Sequence, residues 1–161
     1  MTQDHDRFKL WYIDPLHALE NMPGGHGGFI ALATACFLYE RYATAVLSSQ
    51  GKKADRATKL IQLVSDFDVD QPTAEAFWDV IRDGLLHQGM PMQRKQGTAL
   101  PRWAFSQDYP PLALENIGGE IWLKVQPWKF TNKVLSLYDS NFTLLAQSGS
   151  FPWASIGAVP A

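Results

Sequence analysis

A single cysteine, Cys36, stands in the 161 residues. No internal disulfide can form, and the chain suits a reducing compartment. Cys36 lies among apolar residues and reads as a small core side chain. Charge is also scarce: Asp, Glu, Lys and Arg make up 19% of the chain, and the net charge is −2. A surface this close to neutral does not attract nucleic acid as a whole, so any RNA contact must be local. The N-terminus lacks a basic segment followed by an apolar one and opens on Asp4, His5 and Asp6, so no secretion signal is read there. Metal-ligand spacings are missing too. There is no His-x-x-His, Cys-x-x-Cys or His-Glu-x-x-His, and His5, His17 and His26 are dispersed. A Gly-x-Ser-x-Gly elbow is likewise absent. Neither a metal nor a cofactor is expected.

The one long apolar run, Gly28 to Leu47, holds Glu40 and Arg41 near its middle. Neither belongs in lipid without a partner, so the run predicts a buried helix in a cytoplasmic protein with no membrane partner. Glu40 or Arg41 is expected to be buried and paired, with Arg82 or His87 as candidate partners. A structural ion pair there is the stronger reading, and a catalytic acid the weaker.

What the chain does have is apolar mass: 46% of residues are hydrophobic, including six Trp, nine Phe and five Tyr. That suits one globular domain over 1–161. Asp14-Pro15 predicts a helix start with a capping side chain, and a short helix to about Asn21. Met22 to Gly28 carries Pro23 and four glycines around His26. A Gly-rich loop before a helix can cradle phosphate. This one lacks a Lys-Ser/Thr pair and a preceding strand, so a flexible connector is the expectation. A core helix follows over 29–49, with Leu32, Ala35, Cys36, Tyr39, Ala43, Val46 and Leu47 at helical spacing. Gly51 stops it. Leu60, Ile61, Leu63, Val64 and Phe67 stripe the next helix. Asp70-Gln71-Pro72-Thr73 opens another, at 73–88, whose Phe77, Val80, Ile81, Gly84 and Leu85 face the core. Strands are confined to about 98–126, with Leu112–Asn116 and Glu120–Val125 forming a hairpin around Ile117-Gly118-Gly119, joined by a strand at 99–106. Gln126-Pro127 opens a last helix over 128–147. Gly149 ends it, and 150–161 reads as a tail with Phe151 and Trp153 docked. The fold class is mainly α: four or five helices with a small β insertion before the last.

The chemistry concentrates at the end of the 73–88 helix. Asp79, Asp83 and His87 fall at i, i+4 and i+8 on one row. A helix C-terminus and Asp83 one turn back both favour a protonated His87, which could shuttle protons near neutral pH. Arg82 keeps its proton and suits a phosphate. On a straight α-helix the two residues lie roughly 140° apart, from five residues at the 3.6-residue turn. A complete site then requires an unwound helix end or a second copy of the chain.

Arg82, Asp83 and His87, with Gly84-Leu85-Leu86 between them, resemble the Arg-x4-His signature of the HEPN superfamily. The likeness covers about 14–90 and the last helix, while the 98–126 hairpin departs from it. The resemblance implies a HEPN-like helical bundle, a homodimer with a composite cleft, and an RNA-binding protein or metal-independent endoribonuclease of a defence or toxin–antitoxin system. It assigns catalytic roles to Arg82, Asp83 and His87. Lys52, Lys53, Arg94 and Lys95 are the candidate RNA-backbone contacts, and an antitoxin-like protein is a second candidate partner. The alternative is that the row solvates a helix face and caps its end. The chain would then be a non-catalytic dimerisation or scaffold module that binds a protein or nucleotide. Lys52, Lys53, Arg56 and Lys59 would likewise be a solvated helix start.

Overall fold

The computed structural model describes residues 3–148. Helices dominate, and the strands lie between the sixth and seventh of them. The central element is α3 (Gly27–Ser49), in which Leu32, Ala35, Cys36, Tyr39, Ala43, Val46 and Leu47 are all buried. Its small residues let α7 (Pro127–Ser140) lie close along it, and the Tyr138 hydroxyl of α7 donates to the Leu38 carbonyl of α3 at 2.8 Å. α4 (Arg56–Phe67) closes the other side. Phe130 of α7 is fully buried, stacked on Phe67 at 4.6 Å and packed against Phe77 at 4.7 Å. By length and composition alone α3 could cross a membrane, but most of its apolar stretch is buried against its neighbours.

The caps explain the boundaries. Asp55 and Asp70 accept the backbone N–H of Thr58 and Thr73, and open α4 and α5 (Gln71–Ala76). Gln126 does the same for α7 through Lys129 N–H. Asp68, Gly51 and Gly89 carry positive φ just past helix ends.

Several expectations need correction. Asp14 does not cap a helix start. α1 (Gln3–Phe8) runs through a π-helical turn, Lys9–Ile13, into α2 (Asp14–Glu20). Pro15 has no N–H for the α-ladder, and the chain widens just before it: Asp14 N–H reaches Lys9 O, five residues back. The Asp14 carboxylate instead takes Lys9 Nζ at 2.5 and 2.8 Å. The 22–28 connector is structured, with a 3₁₀ turn at Pro23–Gly25. Gly27 presses so close to α2 that a Cβ would stand 2.2 Å from Leu19 O.

The helix at 73–88 begins at Gln71 and contains a second π-helical turn, Phe77–Arg82, before α6 (Asp83–Gln88). Phe77 and Trp78, at the start of that turn, are both buried. The last helix breaks at Asn141, and α8 (Phe142–Gln147) continues it. Its expected end at Gly149 and the docked tail fall outside the described residues.

Strands begin earlier than expected. β1 (Arg94–Lys95) and β2 (Thr98–Ala99) form a small antiparallel ladder around Gln96-Gly97. The strand expected at 99–106 is interrupted at Pro101 and resumes as β3 (Arg102–Phe105). β4 (Leu112–Ile117) and β5 (Glu120–Val125) form the expected hairpin. Gly118 and Gly119 supply the two positive φ angles that its two-residue turn demands. β3 adds to β5 in parallel, with Arg102 opposite Trp122. No strand occurs within 29–88.

Candidate functional site

Arg82 sits at the last position of the π-turn, and Glu40 lies midway along α3. Where the two elements cross, Arg82 Nε donates to Glu40 Oε2 at 2.7 Å, and its Nη2 reaches the same oxygen. Arg82 Nη1 donates to Asp83 Oδ1 at 2.7 Å, and its guanidinium lies 5.0 Å from the Trp78 ring centroid. The other Glu40 oxygen takes Lys59 Nζ at 2.7 Å. Lys95 Nζ bridges Asp79 at 2.5 Å and Asp83 at 2.9 Å, and Arg56 adds a bond to Asp79 at 2.9 Å. Four cations and three carboxylates thus form one chain of contacts joining α3, α4, the π-turn, α6 and β1. Of the predicted row of Asp79, Asp83 and His87, the two aspartates share Lys95 of the β1–β2 ladder, and His87 does not join them.

The electrostatics follow. Burial acts to lower the Arg82 pKa, and the bonds to Asp83 and Glu40 outweigh it, so the net shift is upward. Burial acts to raise Asp83, and Lys95 and Arg82 outweigh it, so its carboxyl sits below the usual range. Bonds to Asp79 and Asp83 raise Lys95. Cys36 lies one helical turn before Glu40, and burial pushes its thiol up against the pull of Arg82.

His87 stands apart. It is exposed and makes no hydrogen bond or ion pair with any described residue. Asp83, expected to face it, faces Arg82 and Lys95 instead. The α-helical geometry of Asp83–Gln88 keeps the angular offset between Arg82 and His87. Within one chain, therefore, Arg82 and Asp83 come together and His87 does not join them.

The basic candidates divide as well. Lys52, Lys53 and Arg94 are exposed, with Lys53 3.7 Å from Asp55. Lys95 is half-buried and spent on the two aspartates, so it is not a free phosphate contact. Lys59 is buried against Glu40, not part of a solvated helix start. Sequence reasoning missed Lys59, Arg56 and Lys95 as members of the network. Their only advance signal was a charge excess facing an apolar helix that contains a lone Glu. Gly84 also has a plain structural cause: a Cβ there would stand 2.5 Å from Met90 O and Met92 N. The segment after Gly89 folds back across the helix at that point, and Met92 N–H bonds Val80 O at 2.8 Å.

No cluster of metal-ligating side chains occurs among the described residues. No protein-family model, curated protein or solved structure matches the chain.

Proposed function

We propose that the chain is a HEPN-like, homodimeric RNA-binding module in which Arg82 holds the fold together and does not take part in cleavage. The observation that carries this reading is the commitment of Arg82, three of whose nitrogens are bound to Glu40 and Asp83. Extracting it to grip a phosphate would leave the half-buried Glu40 short of a partner. Exposed Lys52 and Lys53 lead into α4, whose Arg56 holds Asp79. Exposed Arg94 precedes Lys95, which holds the same Asp79. Each basic segment is thus close in sequence to a residue of the network, and together they supply the local positive charge that a net negative chain needs for an RNA backbone. The homodimer draws support from α3, where Ile30 and Phe37, seven residues apart on one stripe, are exposed at 54% and 58%.

Fluorescence anisotropy with a single-stranded RNA tests the reading. Binding should weaken with salt, and each of Lys52→Ala, Lys53→Ala and Arg94→Ala should flatten the logarithmic salt slope by about 0.7, the single-strand value per phosphate contact. Salt-independent binding, or full binding by the triple variant, would refute it.

The exposed, unpaired His87 favours a second reading, a metal-independent ribonuclease completed by a partner copy. Under it, cleavage persists in EDTA and leaves 2′,3′-cyclic phosphate ends. His87→Ala then lowers the rate by about 10²–10⁴, the scale of a general acid or base.

A further inference from the structure

A second cleft, remote in sequence from the Arg82 network, opens between the first turns of α3 and α7 and the end of β3. Its volume is about 320 Å³, and it is lined by Gly28, Phe29, Phe105, Gln126 and Trp128, with His26 at its rim. The two buried polar side chains in its walls, Gln126 and Trp128, face it with donors, beside the more exposed His26, Ser106 and Gln107. Gln126 is 4% exposed, and its Oε1 is engaged as the α7 cap, so its NH₂ is turned away from the helix. Trp128 is 6% exposed, and its indole N–H can only donate. Neither nitrogen bonds any described residue, and both residues line the cleft. The indole nitrogen lies 3.5 Å from where a Gly28 Cβ would stand, so the missing side chain is what uncovers it.

The helix ends add to this field. α3 has 23 residues, no side-chain cap and no acid in its first turn, and α7 has no acid in its first turn. Unmet N-terminal amides and aligned peptide dipoles favour negative charge there. No carboxylate lines the cleft. The lining is also aromatic, with Phe29 and Phe105 rings 6.3 Å apart. A ligand that satisfies both features carries an oxyanion on a flat ring.

We propose that this cleft binds a nucleoside monophosphate, with the phosphate accepting from the Trp128 indole and the Gln126 amide at the helix ends and the base lying against Phe29 and Phe105. The volume sits at the small end of ligand sites, about 300–1,000 Å³, which fits one nucleotide and not a duplex. The site is independent of the RNA reading above and shares none of its residues.

Titration of the full chain with adenosine monophosphate, followed by the indole N–H resonances in ¹H–¹⁵N spectra, tests the proposal. The Trp128 resonance, assigned by its loss in Trp128→Phe, should move with the nucleotide. Adenosine without phosphate should bind at least about tenfold more weakly, since a hydrogen bond to a charged group contributes about 1.5–3 kcal/mol. Gln126→Glu keeps the capping oxygen and replaces the donor by a carboxylate, so it should cost a similar factor or more. Gly28→Ala places a methyl at ordinary contact distance from Pro127 and over the indole nitrogen. It should keep or raise the melting temperature while weakening the nucleotide. Equal binding of adenosine and its monophosphate, no binding at millimolar nucleotide, or full affinity in a folded Gln126→Glu variant would overturn the proposal. So would preference for an aryl carboxylate over the nucleotide. The triple variant of Lys52, Lys53 and Arg94 should keep the site intact, so failure here and failure of RNA binding are read separately.

Discussion

Glu40 and Arg82, forty-two positions apart in the chain, meet through Arg82 Nε at 2.7 Å, and each carries a further partner of opposite charge. The pair ties the midpoint of α3 to the exit of the π-turn. Their side chains are only 23% and 19% exposed, so each depends on the other for the contacts that water would otherwise supply.

Removing both members should therefore cost less than the sum of removing each. Glu40→Gln leaves Arg82 and Lys59 facing a neutral amide, and Arg82→Ala leaves Glu40 with Lys59 alone. Each should lower unfolding free energy by about 2 kcal/mol, below the range for fully buried pairs because water still reaches the edge. The double variant should fall short of the sum by about 1 kcal/mol or more, as coupled neighbours do. Urea unfolding of the four proteins measures the cycle. Additive losses would show that the pair is not coupled.

The network also sets a pH window. Asp83 is depressed in the folded chain, so its contribution is complete above the ordinary carboxylate range and fades as pH falls through the lowered value. Lys95 is raised, so its contribution is complete below the ordinary lysine value and fades as pH climbs through the raised one. Asp66 runs the other way: burial raises it, despite bonds from Gln62 and Tyr39, so it contributes most when protonated. Thermal unfolding should show a plateau between the two ranges with loss on both sides. Lys95→Met should remove the alkaline loss and flatten the acid limb, because Asp83 loses its strongest partner. An unchanged profile in that variant would separate Lys95 from the stability of the fold.

How much of this could be read in advance depends on the range of the forces involved. Caps and turns are local, so Asp70, Gly51, Gly89, Gln126 and the Gly118-Gly119 turn stood where their chemistry placed them. The α3 core stripe was equally plain, because a 3.6-residue period is a property of the segment itself. The two π-turns were not legible. Each depends on its surroundings: relief of Pro15 in one, and a buried Phe77 and Trp78 at the start of the other. Glu40 was expected to pair, with Arg82 among the candidates, because a lone carboxylate in an apolar helix requires a partner. Lys59 and Lys95 were hidden because a lysine on a helix or hairpin looks the same in sequence whether it faces water or an acid 2.7 Å away.

Gly84 yields a separate test. Its φ is not in the left-handed region, so any cost of substitution is steric. A Cβ would strike the backbone of Met90, Pro91 and Met92 at 2.5 to 2.8 Å, and backbone cannot turn aside as a side chain can. Gly84→Ala should lower stability by about 3 kcal/mol, at the upper end of overpacking effects, in spite of alanine's better helix propensity. Hydrogen exchange should show Met92 N–H losing protection, as its bond to Val80 breaks. A variant as stable as the parent would mean that the 90–92 segment can lift away without cost.

The dimer decides between the binding and cleaving readings, and the single cysteine makes it accessible to chemistry. Cys36 is 1% exposed, and burial holds its thiol in the protonated, unreactive form. A thiol introduced by His87→Cys is then the one reactive group among the described residues, and it sits at an exposed position past which the helix ends. If two copies meet with their α6 ends together, mild oxidation should join them through a disulfide, which demands Cα atoms within about 7 Å. Light scattering of the parent at micromolar concentration should already give a dimer, and Phe37→Glu should dissociate it by burying a charge in the proposed α3 interface. A dimer that crosslinks supports a composite histidine pair. A dimer that resists crosslinking with short reagents keeps the two histidines apart and removes the composite cleft, leaving the RNA-binding reading without catalysis. A monomer at every concentration would remove both the interface and the cleft.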